Sequence, residues 1–241
     1  MDNDDDLPFE VGQDCEARSF QHGYRGAWFR CKIKQISWKK GYIHHLLEYF
    51  DFPDEKETWT KLYQVSSSRK KGEQKRQLMV RPRYPHMCRE GEVPLHNSVS
   101  EVIVVINGSW NVGDLVDWWT DDCYWSGKIT RVLGDEKAEM EFLPPPMGEG
   151  SSYEVSFKDL RPSLDWSPKD GWRVPASMVG GKYRQCARLI HPVNQGQNQE
   201  VCPARNEQKS ASLGGKTSVK LCRKTRKIVG RIGKENPLAP H

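Results

Sequence analysis

Residues 28–36 read Trp28-Phe29-Arg30-Cys31-Lys32-Ile33-Lys34-Gln35-Ile36, with Trp28, Arg30, Lys32 and Lys34 at one parity and Phe29, Cys31, Ile33 and Gln35 at the other. Successive side chains of a β-strand point to opposite faces, so a period of two that separates basic from mostly apolar residues marks a strand with one buried face. Lys39-Lys40-Gly41 then reads as a hairpin turn, and His44 to Phe50 as the returning strand. No segment carries an apolar helical stripe over three turns. The chain is therefore predicted to be all-β.

Working outward, Phe9 to Arg18 reads as a preceding strand and Phe20 to Gly26 as a turn rich in Gly and aromatics. Asp51 to Glu57 is an acidic loop, Trp59 to Val65 a further strand, and Ser66 to Gln77 a polar, mostly basic loop before Leu78 to Val80 closes the unit at Arg81-Pro82. This bounds a first module at residues 8–85. After a connecting segment, 86–107, the plan recurs over 108–166. Phe9-Glu10-Val11-Gly12-Gln13-Asp14-Cys15-Glu16 lines up with Trp110-Asn111-Val112-Gly113-Asp114-Leu115-Val116-Asp117, and Ala27-Trp28-Phe29-Arg30-Cys31-Lys32-Ile33 with Tyr124-Trp125-Ser126-Gly127-Lys128-Ile129. Arg81-Pro82 lines up with Arg161-Pro162. Such a repeat sets the architecture before any residue is given a role. Residues 167–193 are expected to pack on the pair. Residues 194–241 form a basic tail with too little apolar surface to offset its ordering entropy, and are expected to be disordered.

Composition agrees with small modules. Only 36% of the 241 residues are hydrophobic and the mean hydropathy is -0.78, low for one continuous core, yet there are 9 Trp. A few large rings can fill a small barrel. The net charge of +5 is unevenly laid out, acidic at Asp2 and Asp4 to Asp6 and basic at the other end. Seven cysteines fall at irregular spacing with no Cys-x-x-Cys pair, which argues against a disulfide framework or a zinc ribbon and for a reduced, intracellular setting. The longest apolar run, Val102 to Ile106, is too short to span a bilayer. No metal, cofactor or enzymatic constellation stands out. His44 and His45 are strand neighbours on opposite faces, Cys186 and His191 lack an orienting carboxylate, and Gly214-Gly215-Lys216 lacks the phosphate-loop spacing. The expectation is a binding protein rather than an enzyme.

Gly23-Tyr24-Arg25-Gly26-Ala27-Trp28-Phe29, Glu48-Tyr49 with Asp51, and Arg81-Pro82-Arg83-Tyr84-Pro85 resemble the first half of a plant-type tandem Agenet unit. Val112-Gly113-Asp114-Leu115, Tyr124-Trp125-Ser126-Gly127 and Asp159-Leu160-Arg161-Pro162 resemble the second. The resemblance covers roughly residues 8 to 173. It implies tandem small Tudor-like barrels of the Royal superfamily in a nuclear, chromatin-associated protein of transcription regulation, and a histone tail, H3 first among them, as partner. By position in the family, a methyl-lysine cage is expected from Phe20, Tyr24, Trp28, Tyr49 and Phe52, with second-barrel aromatics Trp118, Trp119, Trp125 and Phe142.

Given that resemblance, the carboxylates Asp51, Asp54 and Glu55 beside Tyr49 and Phe52, and Asp121 and Asp122 in the second module, are expected to contact a basic peptide in an acidic inter-barrel cleft. Methylammonium is held by ring faces and apolar contact rather than by hydrogen bonds, so aromatics flanked by acids suit it. In the tail, Lys220, Arg223, Lys224, Arg226 and Lys227 suit a nuclear import signal or non-specific DNA contact. Two other classes fit the sequence. One is a DNA/RNA-binding module using Arg30, Lys32, Lys34 and the basic loop; the other is a scaffold for an unmodified protein partner, such as a member of a chromatin complex.

Overall fold

The computed structural model describes residues 8–65, 76–94 and 99–192. The expectations for the acidic start, most of the basic loop and the tail, Lys220, Arg223, Lys224, Arg226 and Lys227 included, lie outside the described residues.

The fold is all-β, as the alternation predicts. β1 (Asp14–Arg18), β2 (Ala27–Lys39), β3 (Tyr42–Tyr49), β4 (Thr58–Lys61), β5 (Tyr63–Val65), β6 (Arg76–Leu78) and β7 (Val80–Pro82) make the first barrel. The long β2 pairs antiparallel with β1 on one side and β3 on the other, and β1 also takes β7. The strict alternation of β2 breaks at one place. Its register with β3 slips between Ile33 and Gln35, which reverses the parity of everything beyond. Phe9, Cys15, Ala17, Cys31, Ile33, Leu47, Leu62, Met79 and Val80 form the core.

β8 (His86–Arg89) and β9 (Ile103–Ile106) pair in parallel and lead to the second barrel. It consists of β10 (Leu115–Thr120), β11 (Cys123–Val132), β12 (Lys137–Phe142), β13 (Ser152–Ser156) and β14 (Leu160–Pro162). Its core gathers Val116, Ile129, Met140, Phe142, Val155 and Leu160. Two short hairpins follow, β15 (Asp165–Ser167) with β16 (Gly171–Arg173) and β17 (Ser177–Val179) with β18 (Lys182–Arg184). Finally β19 (Ala187–Ile190) returns to pair with β9. Trp166, on β15, packs back onto the first barrel with its ring 5.3 Å from that of Phe9.

The repeat holds at the level of single hydrogen bonds. Gly12 N–H donates to the Ile33 carbonyl at 2.7 Å, and Gly113 N–H to that of Ile129 at 2.8 Å; Ile33 and Ile129 N–H donate to Gln13 and Asp114 at 3.0 Å each. The register bulge recurs as well, between Ile129 and Arg131. Strand pairing gives the correspondence that sequence alone left open: Arg30 lies opposite Glu16 and Ser126 opposite Asp117, so Trp28 matches Tyr124 and Phe29 matches Trp125.

The two barrels share one sheet. β2 and β11 pair antiparallel, with Trp28 opposite Tyr124. Those two residues are each other's counterparts in the repeat, so an approximate two-fold axis passes between them. On it sit four buried charges. Glu16 and Arg81 come from the first barrel, Asp117 and Arg161 from the second, and all are 5% exposed or less. Arg81 donates to Glu16 at 2.8 Å and Asp117 at 3.2 Å; Arg161 donates to Glu16 at 2.7 and 3.0 Å and to Asp117 at 3.3 Å. Each guanidinium therefore bridges carboxylates of both barrels and lies over a ring of its partner pair, Arg81 at 3.8 Å from Trp28 and Arg161 at 3.3 Å from Tyr124.

Candidate peptide-binding groove

A groove of about 510 Å³ opens on the first barrel, lined by Phe20, Tyr24, Phe29, Tyr49, Phe52 and Trp59 with Arg18, Glu55, Thr58 and Met79. The chain builds it from three directions. The loop after β1 supplies Phe20 and Tyr24, β2 supplies Phe29, and the end of β3 with the turn beyond it supplies Tyr49 and Phe52. The turn is fixed by Glu55 N–H donating to the Phe52 carbonyl at 3.1 Å, and Tyr49 is fixed by its hydroxyl hydrogen bond to Thr58 at 3.0 Å. Phe29 stands at the centre. Tyr49 meets it edge-on at 6.1 Å and 86°, Phe52 at 5.5 Å and 65°, and Tyr24 lies 5.8 Å away. Rings set near perpendicular present several faces to one space, the arrangement a diffuse cation needs.

Four of the five expected ring positions thus meet in one groove, and Phe29 and Trp59 join them. Phe29 reads as core by parity, but it is only half-buried because the barrel is open at this end. Trp28 is a correction. It is 5% exposed, faces the junction rather than the groove, and has Arg81 over its ring. Its parity reading as the outer face was sound, but that face is covered by the second barrel.

The charges are distributed differently from the sequence expectation. Glu55 lines the groove, whereas Asp51 is engaged by the Arg30 guanidinium on the junction side and Asp54 is exposed. At the groove's other end Arg18 is half-buried, its Nε buried without a hydrogen-bond partner and its Nη2 donating to the Met147 carbonyl at 3.5 Å, with its guanidinium 5.0 Å from Phe20 and 5.4 Å from Trp28. Burial, with Arg81 nearby, pushes its pKa down to about 10. A ligand cation is therefore repelled from the Phe20 end and drawn to the end formed by Tyr49, Phe52 and Glu55.

The inter-barrel cleft, about 750 Å³, is not acidic. Asp14, Glu16, Glu101 and Asp159 line it together with Arg30, Arg83, His86, Lys158 and Arg161. Asp121 and Asp122 form the tight β10–β11 turn, both at positive φ, and are not part of its lining.

The second barrel repeats the ring pair but closes it. Trp125 and Phe142 occupy the places of Phe29 and Tyr49, yet they stack parallel at 5.2 Å and 4°, with Trp118 and Tyr153 packed against Phe142 at 6.2 and 4.9 Å. Stacked rings leave no gap for an ammonium group. Trp119 has turned to the junction, under Arg30 at 4.6 Å. The second barrel instead supports the first. Glu149 accepts hydrogen bonds from the N–H groups of Gly23 and Arg25 at 2.7 and 3.0 Å and from the Arg25 side chain at 3.2 Å, holding the loop that carries Phe20 and Tyr24.

Two small β-barrels thus share one sheet, and one of them carries an open aromatic groove. The Agenet domain family matches residues 12–85, the first barrel with its flanks. Among solved structures it is similar to Arabidopsis thaliana AGDP1 AGD34, with 18% identity and a TM-score of 0.44 over 69% of this chain and 90% of that one. It is also similar to the ADCP1 tandem Agenet domain 3-4, with 16% identity and a TM-score of 0.43 over 69% and 88%. No curated protein matches the sequence.

Proposed function

We propose that this protein is a nuclear, chromatin-associated histone-tail reader whose first barrel takes a methylated lysine, with the H3 tail as its first candidate. The observation that carries this reading is the convergence of Tyr49, Phe52, Phe29 and Tyr24 on one groove with Glu55 at its cation-favouring end. The methylated ammonium sits among the rings by cation–π attraction and apolar contact. Glu55 adds attraction, and a hydrogen-bond acceptor for the lower methylation states that retain an N–H. Arg18 orients the peptide by excluding its basic residues from the opposite end. The mixed charge of the inter-barrel cleft suits the flanking backbone better than a run of lysines.

Calorimetric titration of the whole chain with H3 and H4 peptides, unmodified and mono-, di- and trimethylated, tests the proposal. Methyl-dependent binding is expected, with Tyr49→Ala and Phe52→Ala each weakening the trimethyl complex by about 0.5–2 kcal/mol, or roughly 2- to 30-fold. Glu55→Gln is expected to weaken the mono- and dimethyl complexes more than the trimethyl one. Equal affinity for every methylation state, or ring variants without effect, would overturn the reading. Trp28→Ala is unsuitable as a probe, because it removes the platform under Arg81.

A further inference from the structure

The outward face of β2, β3 and β4 differs from its counterpart in the second barrel in a way that points to a ligand. On β11, β12 and β13 that face is closed by ion pairs, Arg131 with Glu139 at 2.8 Å and Lys137 with Glu154 at 2.6 Å, an ordinary hydrated surface. Strand register places Leu46 where Glu139 stands and Trp59 where Glu154 stands. The β2–β3 hairpin also runs on past the level at which the second barrel turns, adding Lys39, Lys40 and Tyr42. Both carboxylates are gone, one replaced by Leu46 and the other by the ring of Trp59, and Lys39, Lys40 and Lys61 stand where the second barrel has no basic residue. Trp59 is 40% exposed and Tyr42 52%. The Lys39 ammonium lies 4.0 Å over Trp59 and that of Lys61 4.8 Å over Tyr42. Among the described residues, Lys39, Lys40 and Lys61 pair with no carboxylate.

We propose that this face binds single-stranded nucleic acid. Bases stack on Tyr42 and Trp59, and the backbone phosphates between them are neutralised by Lys39, Lys40 and Lys61. A base that settles on a ring displaces the ammonium now over it, and the flexible lysine stem carries that charge to the adjoining phosphate. The chemistry selects a single strand. In a duplex the base faces are already stacked and cannot reach a ring, and an acidic peptide would use the lysines but leave the rings idle. Arg30, Lys32 and Lys34, the basic residues the sequence offered for this role, are otherwise engaged. Arg30 holds Asp51, Lys32 lies over Phe50 and Lys34 pairs with Glu48.

Fluorescence anisotropy of labelled oligothymidylate and oligouridylate with the full chain, across a salt series, tests this. Trp59 also borders the peptide groove, so the informative variants are Tyr42→Ala and the double variant Lys39→Gln with Lys61→Gln. Loss of the ring is expected to weaken single-strand binding by about 5-fold or more. Loss of two ammonium groups is expected to flatten the slope of log affinity against log salt by about 1.4. A preference for RNA over DNA would identify the source without altering the assignment. Unchanged affinity and slope in both variants, or a duplex bound as tightly as the single strand and indifferent to Tyr42, would overturn it.

Discussion

Arg161→Ala is expected to destabilise the protein by about 3–5 kcal/mol, a large part of the 5–15 kcal/mol typical of a folded domain. The substitution leaves Glu16 and Asp117, both nearly inaccessible, to share the single guanidinium of Arg81. Two desolvated carboxylates facing one cation cost far more than the pair they lose is worth. The urea midpoint reports the effect. Replacing all four charges together by apolar residues of similar volume is expected to cost less than the single substitution, since no ion is then left uncompensated. A single variant as stable as the parent would show that the four charges do not act as a unit.

The same cluster sets an acid limit. Burial raises the pKa of Glu16 and of Asp117, but Arg161 and Arg81 outweigh it and leave both below their ordinary values. A folded pKa below the unfolded one contributes stability that is full above the ordinary carboxylate range, about pH 4, and is lost as the pH falls through the folded values. The parent should hold its stability down to that range and lose it below. In Arg161→Ala the depression is relieved, and acid sensitivity should move toward neutral pH.

Gly26→Ala is expected to disable the groove without touching a ring. Gly26 sits at φ +85, and a Cβ there would come within 2.5 Å of the Met147 carbonyl oxygen, a backbone atom of the second barrel. The left-handed conformation alone costs an L-residue about 1–2 kcal/mol. The clash adds to this and pushes apart the Phe20–Gly26 loop and the loop bearing Glu149. Phe20 and Tyr24 then lose their support, so methyl-peptide affinity should fall while Tyr49 and Phe52 remain in place. Gly23→Ala is the matching control, at φ +90 with nothing within 4 Å of the added Cβ. It carries the backbone cost without the clash, and a comparable loss of affinity there would show that the clash with Met147 is not what disables the groove.

The strand alternation at Trp28–Ile36 and the recurrence of Arg-Pro at 81 and 161 made the all-β, repeated plan legible in the sequence. Four ring positions of the groove were legible as well, because loops and strand ends near one another in the chain stay near in a small barrel. Two things were not. Parity identifies a face but not what covers it, so Trp28 read as a cage wall when the second barrel lies on it. Parity also fails at a bulge: the slip between Ile33 and Gln35 moves Lys39 to the outward face beside Trp59, a juxtaposition that also needs the register of β4. The buried quartet was visible only as aligned letters, Glu16 with Asp117 and Arg81 with Arg161. Nothing in charged residues a strand apart announces that they meet across an axis.

That axis divides the molecule's freedom to change. A residue on it, such as Glu16, answers to both barrels at once, and any replacement has to satisfy Arg81 and Arg161 together. A residue away from it answers to one barrel only. Phe29 and Tyr49 can stand open while Trp125 and Phe142 close, and Trp59 can stand where the other copy carries Glu154. The repeat thus has a shared seam flanked by two surfaces able to specialise separately, one with its ring groove open and one with its rings closed.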